Sequence, residues 1–236
     1  MISFSKVKKL YSNTQMLKIA GLYFFLIAGG LWHILNVLQT TMRLLATPLI
    51  IGLALWIAWE YGSLIRQISV GRRKVIHYGF WVVTIIFVTF GIEWLGVKTG
   101  RIFGNYQYGS TLQPVFQGVP LAIGFAWLVM LLSATAIFQR IQTRFAVENK
   151  LLQALGISIL MVIFDLVMEP AAMKLGYWSW AENQIPLQNY LAWFVISLVL
   201  IYIALKSEIF EKKMPSIAIH AYFAQFIYFL MVIFKP

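Results

Sequence analysis

The chain of 236 residues is 61% hydrophobic and 11% charged, with a mean hydropathy of +0.79, which excludes a soluble globular domain and describes a polytopic membrane protein. Its lack of cysteine excludes disulfides, thiolate nucleophiles, iron–sulfur clusters and Cys-ligated metals. A net charge of +11 would suit nucleic acid, but the basic residues are distributed as a topology signal, so membrane lipids and not nucleic acid are the expected partners.

Seven apolar stretches are each long enough, at about 20 residues, to cross a hydrocarbon core of about 30 Å. They run over 17–36, 43–65, 75–98, 119–138, 151–173, 189–206 and 215–235. The expected fold is all-α: one integral-membrane domain, 1–236, built as a bundle of about seven transmembrane helices, with no room for a soluble domain. The first span follows Lys6, Lys8 and Lys9, contains Lys18 and lacks a small-residue cleavage signature, so it is expected to be retained. His33 and Asn36 close it. The second span carries Glu60 near its end. Arg66, Arg72, Arg73 and Lys74 separate it from the third, which holds His77 at its start and Glu93 near its other end.

The loop after the third span is dense in Gly96, Gly100, Gly104, Asn105, Tyr106, Tyr108 and Gly109, and ends at Gln117, Gly118 and Pro120. If the helix continues, glycines at intervals of four let another backbone approach closely. The amide and phenol groups suit a re-entrant or cavity-lining segment instead. Arg140, Arg144 and Lys150 follow the fourth span. The fifth holds Asp165 and Glu169, with Pro170 freeing the Leu166 carbonyl and offering a kink. Gly176, Tyr177, Trp178, Trp180, Pro186, Asn189 and Trp193 enrich the next loop and the start of the sixth span, either as an aromatic belt or as a site lining. Lys206, Lys212 and Lys213 follow the sixth span, and His220 lies early in the seventh.

Fourteen of the 19 basic residues thus fall on one side, and the positive-inside rule predicts a cytoplasmic N-terminus in a bacterial or archaeal inner membrane. Glu93, Asp165 and Glu169 then share a layer in the non-cytoplasmic half, which His33 and Asn36 also reach. Glu60, His77 and His220 form a second layer, where Glu60 and His220 are expected to pair or to meet interfacial water. A charged carboxyl at mid-membrane costs roughly 2.5–3.5 kcal/mol on insertion scales, so the outer three mark a cavity, a partnered cluster or a retained proton. Asp165 and Glu169, four apart, share a helix face. Two such carboxyls do not readily ionise together, so the pair is expected to keep a proton, as a general acid requires.

Much chemistry is excluded. The last span lacks the lysine of a Schiff-base pigment protein from Ile217 to Phe234, and Asp165 is the only aspartate, too few for a Mg²⁺-diphosphate site. Three scattered histidines hold neither a diiron centre nor any other metal. No glycine loop sits in a nucleotide-binding strand and helix context. Cofactor-free acid–base chemistry on a lipophilic substrate remains, beside binding or transport.

GIEWLGVKTGRIFGNYQYG (Gly91 to Gly109), the Val119–Pro120 pair, DLVMEPAAMKLGYWSW (Asp165 to Trp180) and IPLQNYLAWF (Ile185 to Phe194) resemble the CruF-type carotenoid biosynthesis membrane proteins, among them carotenoid 1,2-hydratases and bisanhydrobacterioruberin hydratase. The likeness covers residues 75–200, departing where Ala192 replaces an expected glycine and in the polar 182–184 stretch. It implies water addition across the terminal double bond of an acyclic carotenoid, without a cofactor. Protonating an alkene needs a neutral carboxyl, and the tertiary cation needs aromatic or carboxylate surroundings that admit water. Asp165 and Glu169 are the expected proton donor and its tuner, and Glu93 the group that positions or deprotonates water. Asn105, Tyr106, Tyr108, Trp178, Trp180, His33 and Asn189 are the expected substrate contacts. A cyclase or isomerase using the same protonation, or a proton-coupled lipid or pigment carrier, is the alternative. The particular carotenoid and the oligomeric state are left open.

Overall fold

The computed structural model describes residues 4–68 and 72–235, with side chains from Asn13 onward apart from that of Ile68. Residues 1–3, 69–71 and 236 of the expected single domain, and the Lys6, Lys8 and Lys9 side chains of its basic layer, lie outside that description. Among the described residues there are seven helices: α1 (Phe4–Ile34), α2 (Gln39–Ile68), α3 (Arg72–Thr99), α4 (Ala122–Phe145), α5 (Lys150–Lys174), α6 (Leu187–Lys206) and α7 (Ser216–Ile233). All seven are long and apolar enough to cross a membrane, and the protein is an integral membrane helix bundle.

The bundle is organised around α4. From Ala122 to Phe138 this helix carries no charged residue, is apolar on every face and is the most buried of the seven, as a helix without a polar stripe must be. Helices α2, α3, α5 and α7 pack around it, α6 lies on α5, and α1 lies on α7. Three hydroxyls inside the bundle bond back along their own helices, Thr89 to the Ile85 carbonyl at 2.8 Å, Thr135 to Leu131 at 2.7 Å and Ser158 to Ala154 at 2.8 Å. Such bonds are cheap to keep in an apolar medium, where an unpaired hydroxyl is not. Tyr222 donates to the Leu160 carbonyl at 2.8 Å and ties α7 to α5. Large apolar side chains such as Phe24, Phe25, Trp59, Phe80 and Phe87 stand exposed, as lipid-facing positions require.

Between α3 and α4 the chain forms three short strands, β1 (Tyr106–Tyr108), β2 (Val115–Phe116) and β3 (Val119–Pro120). A fourth, β4 (Trp178–Trp180), precedes α6. Strands β2 and β3 pair with each other. Strand β1 pairs antiparallel with β4, with Tyr106 opposite Trp180 and Tyr108 opposite Trp178. This ribbon, closed by Gly109 N–H to the Tyr177 carbonyl at 2.8 Å and by Ala181 N–H to the Asn105 carbonyl at 2.9 Å, caps one end of the bundle.

Several expectations are corrected. The glycine ladder does not continue a helix: α3 stops at Thr99, and Gly100 (φ +64°) and Gly104 (φ +111°) turn the chain in a region that favours glycine. Helix α1 starts well before residue 17 and ends before Asn36, which is exposed at φ +56°. The fourth span begins at Ala122 because Val119 and Pro120 are in β3. Glu60 and His220 do not pair: Glu60 accepts from Lys18 and Trp56, whereas His220 Nδ1 meets the Tyr23 hydroxyl at 3.2 Å.

Candidate functional site

Strand alternation explains the site. Tyr106 and Tyr108 are two residues apart and point to one face of the ribbon, as do their cross-strand partners Trp180 and Trp178. Four aromatic side chains, each carrying one donor, therefore reach the ends of α3 and α5 together. Tyr106 and Tyr108 donate to Glu93 Oε2 at 2.6 and 2.8 Å. Trp178 and Trp180 donate to Glu169 Oε2 at 2.8 and 2.7 Å. The tyrosine pair holds one carboxyl and the tryptophan pair holds the other.

Two further donors complete the set. Trp127 of α4 donates to Glu93 Oε1 at 2.8 Å, and its indole stacks on that of Trp193 of α6 with centroids 4.0 Å apart and planes 16° from parallel. The Asn189 amide of α6 forks between helix-α5 carboxyls, reaching Asp165 Oδ2 at 2.8 Å and Glu169 Oε1 at 3.2 Å. Asp165 is fully buried, and its Oδ1 has no hydrogen-bond partner. Glu93, Glu169 and Asn189 are 5%, 3% and 2% exposed, so these bonds form where water does not compete and each is worth about 1.5–3 kcal/mol. Burial, and after it the charge of Glu93, holds the Tyr106 and Tyr108 phenols above the ordinary tyrosine range, which keeps both as donors.

Glu93 and Glu169 line one cavity with about 780 Å³ of empty space, its open mouth included. Tyr106, Tyr108, Trp178, Trp180, Asn189 and the Trp127–Trp193 stack form its capped end. Phe164, Met168, Phe229 and Ile50 extend the lining into the apolar bundle. The chamber is mainly aromatic and apolar, with the carboxyls of Glu93 and Glu169 in its wall and the Gln225 amide as a further polar group in the lining. Among the described residues no group of three or more histidines and carboxylates is gathered as metal ligands would be.

Residues 49–235 match the family model described as Carotenoid biosynthesis protein. The chain belongs to the carotenoid biosynthesis protein family. Bisanhydrobacterioruberin hydratase of Haloarcula japonica is 28% identical to it over 121 residues, which are 50% of this chain and 41% of that protein. The chain thus matches less than half the length of that relative. No solved structure matches.

In this carotenoid biosynthesis protein the structure brings together Glu93, Glu169, Tyr106, Tyr108, Trp178, Trp180 and Asn189 around one cavity. Asp165 sits behind Glu169, joined to it through Asn189, and does not line the cavity. Asn105 has an exposed side chain and holds the ribbon through its backbone carbonyl. His33 is buried at the end of α1 and lies outside the cavity lining. Trp127 escaped the sequence reading. Its signal was an indole N–H, which needs an acceptor when buried, in an all-apolar span about five residues from the end that meets Glu93.

Proposed function

We propose that this protein adds water across the terminal 1,2 double bond of an acyclic carotenoid end group. The observation that carries this reading is a pair of carboxyls on different helices, each held by two aromatic donors from one ribbon face, at the closed end of an apolar cavity. The resemblance to a hydratase points to the same chemistry.

The roles follow from what each carboxyl touches. Glu169 faces the cavity and delivers a proton to the less substituted alkene carbon; the π electrons form that C–H bond and leave a tertiary cation next to it. Both indole N–H groups on Glu169 Oε2 are donors only, so they favour the carboxylate left behind and help the proton leave. Asp165, whose Oδ1 accepts no bond, holds the reserve proton of the pair and communicates with Glu169 through the Asn189 amide. The faces of the stacked Trp127 and Trp193 and of the ribbon aromatics stabilise the cation. Glu93 orients a water molecule with the two phenols and takes its proton as the oxygen bonds to the cation. The proton gained there balances the one lost by the pair, and the product is a tertiary alcohol.

The test is to express the chain in bacteria that accumulate lycopene or gamma-carotene and to analyse the pigments by mass spectrometry. A product heavier by one water, absent with Glu169→Gln, is the expected result. An isomer of unchanged mass would replace this reading with a cyclase. Unchanged pigment beside proton-dependent pigment movement would replace it with a carrier.

A further inference from the structure

The carboxyl cavity holds polar groups that the reaction assigned above leaves unused. The aromatic and amide donors around Glu93 and Glu169 are spent on carboxyls, and the Tyr177 and Tyr228 hydroxyls bond each other. Two groups of the lining remain. The Trp193 indole N–H donates to no acceptor among the described residues, although Trp193 is only 6% exposed. Gln225 of α7 turns its Nε2 back onto the Ala221 carbonyl at 2.9 Å, and its Oε1 accepts no bond from the protein.

Neither atom is walled off. Asp165 Oδ1 is both unpartnered and shut away from open space, but Trp193 Nε1 and Gln225 Oε1 are not shut away, and both residues line the cavity. Trp193 stands on the inward face of α6 with Asn189 and Ser197, so the space that its N–H meets is that of the cavity. A buried indole N–H ordinarily finds an acceptor, and here only a molecule inside the cavity can supply one.

Position and chemistry decide between the two groups. The Trp193 ring stacks on Trp127 with centroids 4.0 Å apart, and Trp127 donates to Glu93 Oε1, so Trp193 stands one ring layer from the indole that holds Glu93. Gln225 adjoins Phe226, which packs on Phe164 of α5; this sets it at the depth of Asp165, about one helical turn from Glu169. An indole N–H is a donor only. It can hold a water molecule by a lone pair and cannot compete with Glu93 for the proton.

We propose that the Trp193 N–H holds the water that is added, donating to one lone pair of its oxygen while the other forms the C–O bond and Glu93 takes a proton. The assignment rests on the hydratase reading. It gives the ring two uses: its face meets the cation, and its edge fixes the nucleophile.

Membranes holding the full chain are supplied, in deuterated water, with the carotenoid that the wild type hydrates, and early products are resolved by mass spectrometry. A cation that escapes water gives up a proton to a carboxyl and becomes unhydrated pigment labelled with deuterium. The ratio of alcohol to labelled alkene therefore reports how well each cation is captured, whatever the amount of folded protein. Trp193→Phe should lower that ratio about tenfold, as expected for the loss of one hydrogen bond. Benzothienylalanine in place of Trp193, which exchanges the N–H for sulfur but keeps the size of the ring and its stack, should lower it equally. An unchanged ratio with both replacements, even beside slower turnover, would confine Trp193 to the stack and overturn the proposal while the hydratase reading stands. A ratio moved by Gln225→Leu and by neither replacement of Trp193 would overturn it in favour of Gln225. No alcohol from the wild type with any acyclic carotenoid supplied would remove the hydratase reading and this assignment with it.

Discussion

Glu93 and Glu169 each accept three hydrogen bonds from side chains on other elements, and most of those donors are aromatic. An aromatic donor in a membrane protein brings its own apolar body, so it can reach a buried carboxyl without carrying water with it. Glu169→Gln should lower water addition by about 10²- to 10⁴-fold, the usual worth of a positioned acid, and should also lower the melting temperature, because its amide nitrogen meets N–H donors where a carboxyl oxygen accepted them; conversion of supplied carotenoid, followed by mass spectrometry, measures the first effect. Trp127→Phe keeps the ring stacked on Trp193 but removes the donor to Glu93 Oε1, and about a tenfold loss of turnover is expected from a bond of that strength. The phenols make a pH prediction. Their folded-state values are raised, so their contribution to stability is complete below the ordinary tyrosine value of about 10 and is lost as pH rises beyond it. Alkaline melting curves of the Tyr106→Phe, Tyr108→Phe double variant should show a weaker decline than wild type.

The β1–β4 ribbon is small, yet it decides which groups face the carboxyls. A slip of one residue in its register would turn Gln107 and Ser179 towards them in place of the four aromatics. The register is held where Gly109 meets Gly176: a Cβ on Gly109 would lie 2.3 Å from the Gly176 carbonyl oxygen. Gly109→Ala should therefore part the strands and abolish activity while helical circular dichroism is retained. Gly91→Ala is the control, because a Cβ there meets nothing within 4 Å and alanine is the better helix former. Loss of activity in both variants would mean that the ribbon is not the sensitive element.

At the scale of the molecule, the charge asymmetry of the loops predicts an orientation for the bundle, and the native lack of cysteine makes that orientation easy to measure. Glu182→Cys, beside the ribbon, should react with a membrane-impermeant maleimide in intact cells. Lys213→Cys, in the loop at the opposite end, should react only after lysis. The reverse pattern would place the carboxyl cavity in the cytoplasmic half.

The sequence by itself determined the class of the molecule and the number of spans, and it drew Glu93, Asp165 and Glu169 into one expected layer. Hydrophobic length and intramembrane carboxyls are local properties, and the bilayer limits what they can mean. It also pointed to the Tyr106, Tyr108, Trp178 and Trp180 cluster, since amides, phenols and indoles beside spans are hard to explain by packing alone. Only the tertiary structure decided which aromatic serves which carboxyl, that Asn189 bridges Asp165 and Glu169, that Trp127 completes the set, and that Asn105 and His33 stand outside the cavity lining. Those facts depend on strand register and on contacts between helices far apart in sequence. Periodicity along a single chain carries no record of them, because they are fixed by the mutual packing of α3, α4, α5 and α6 under one ribbon.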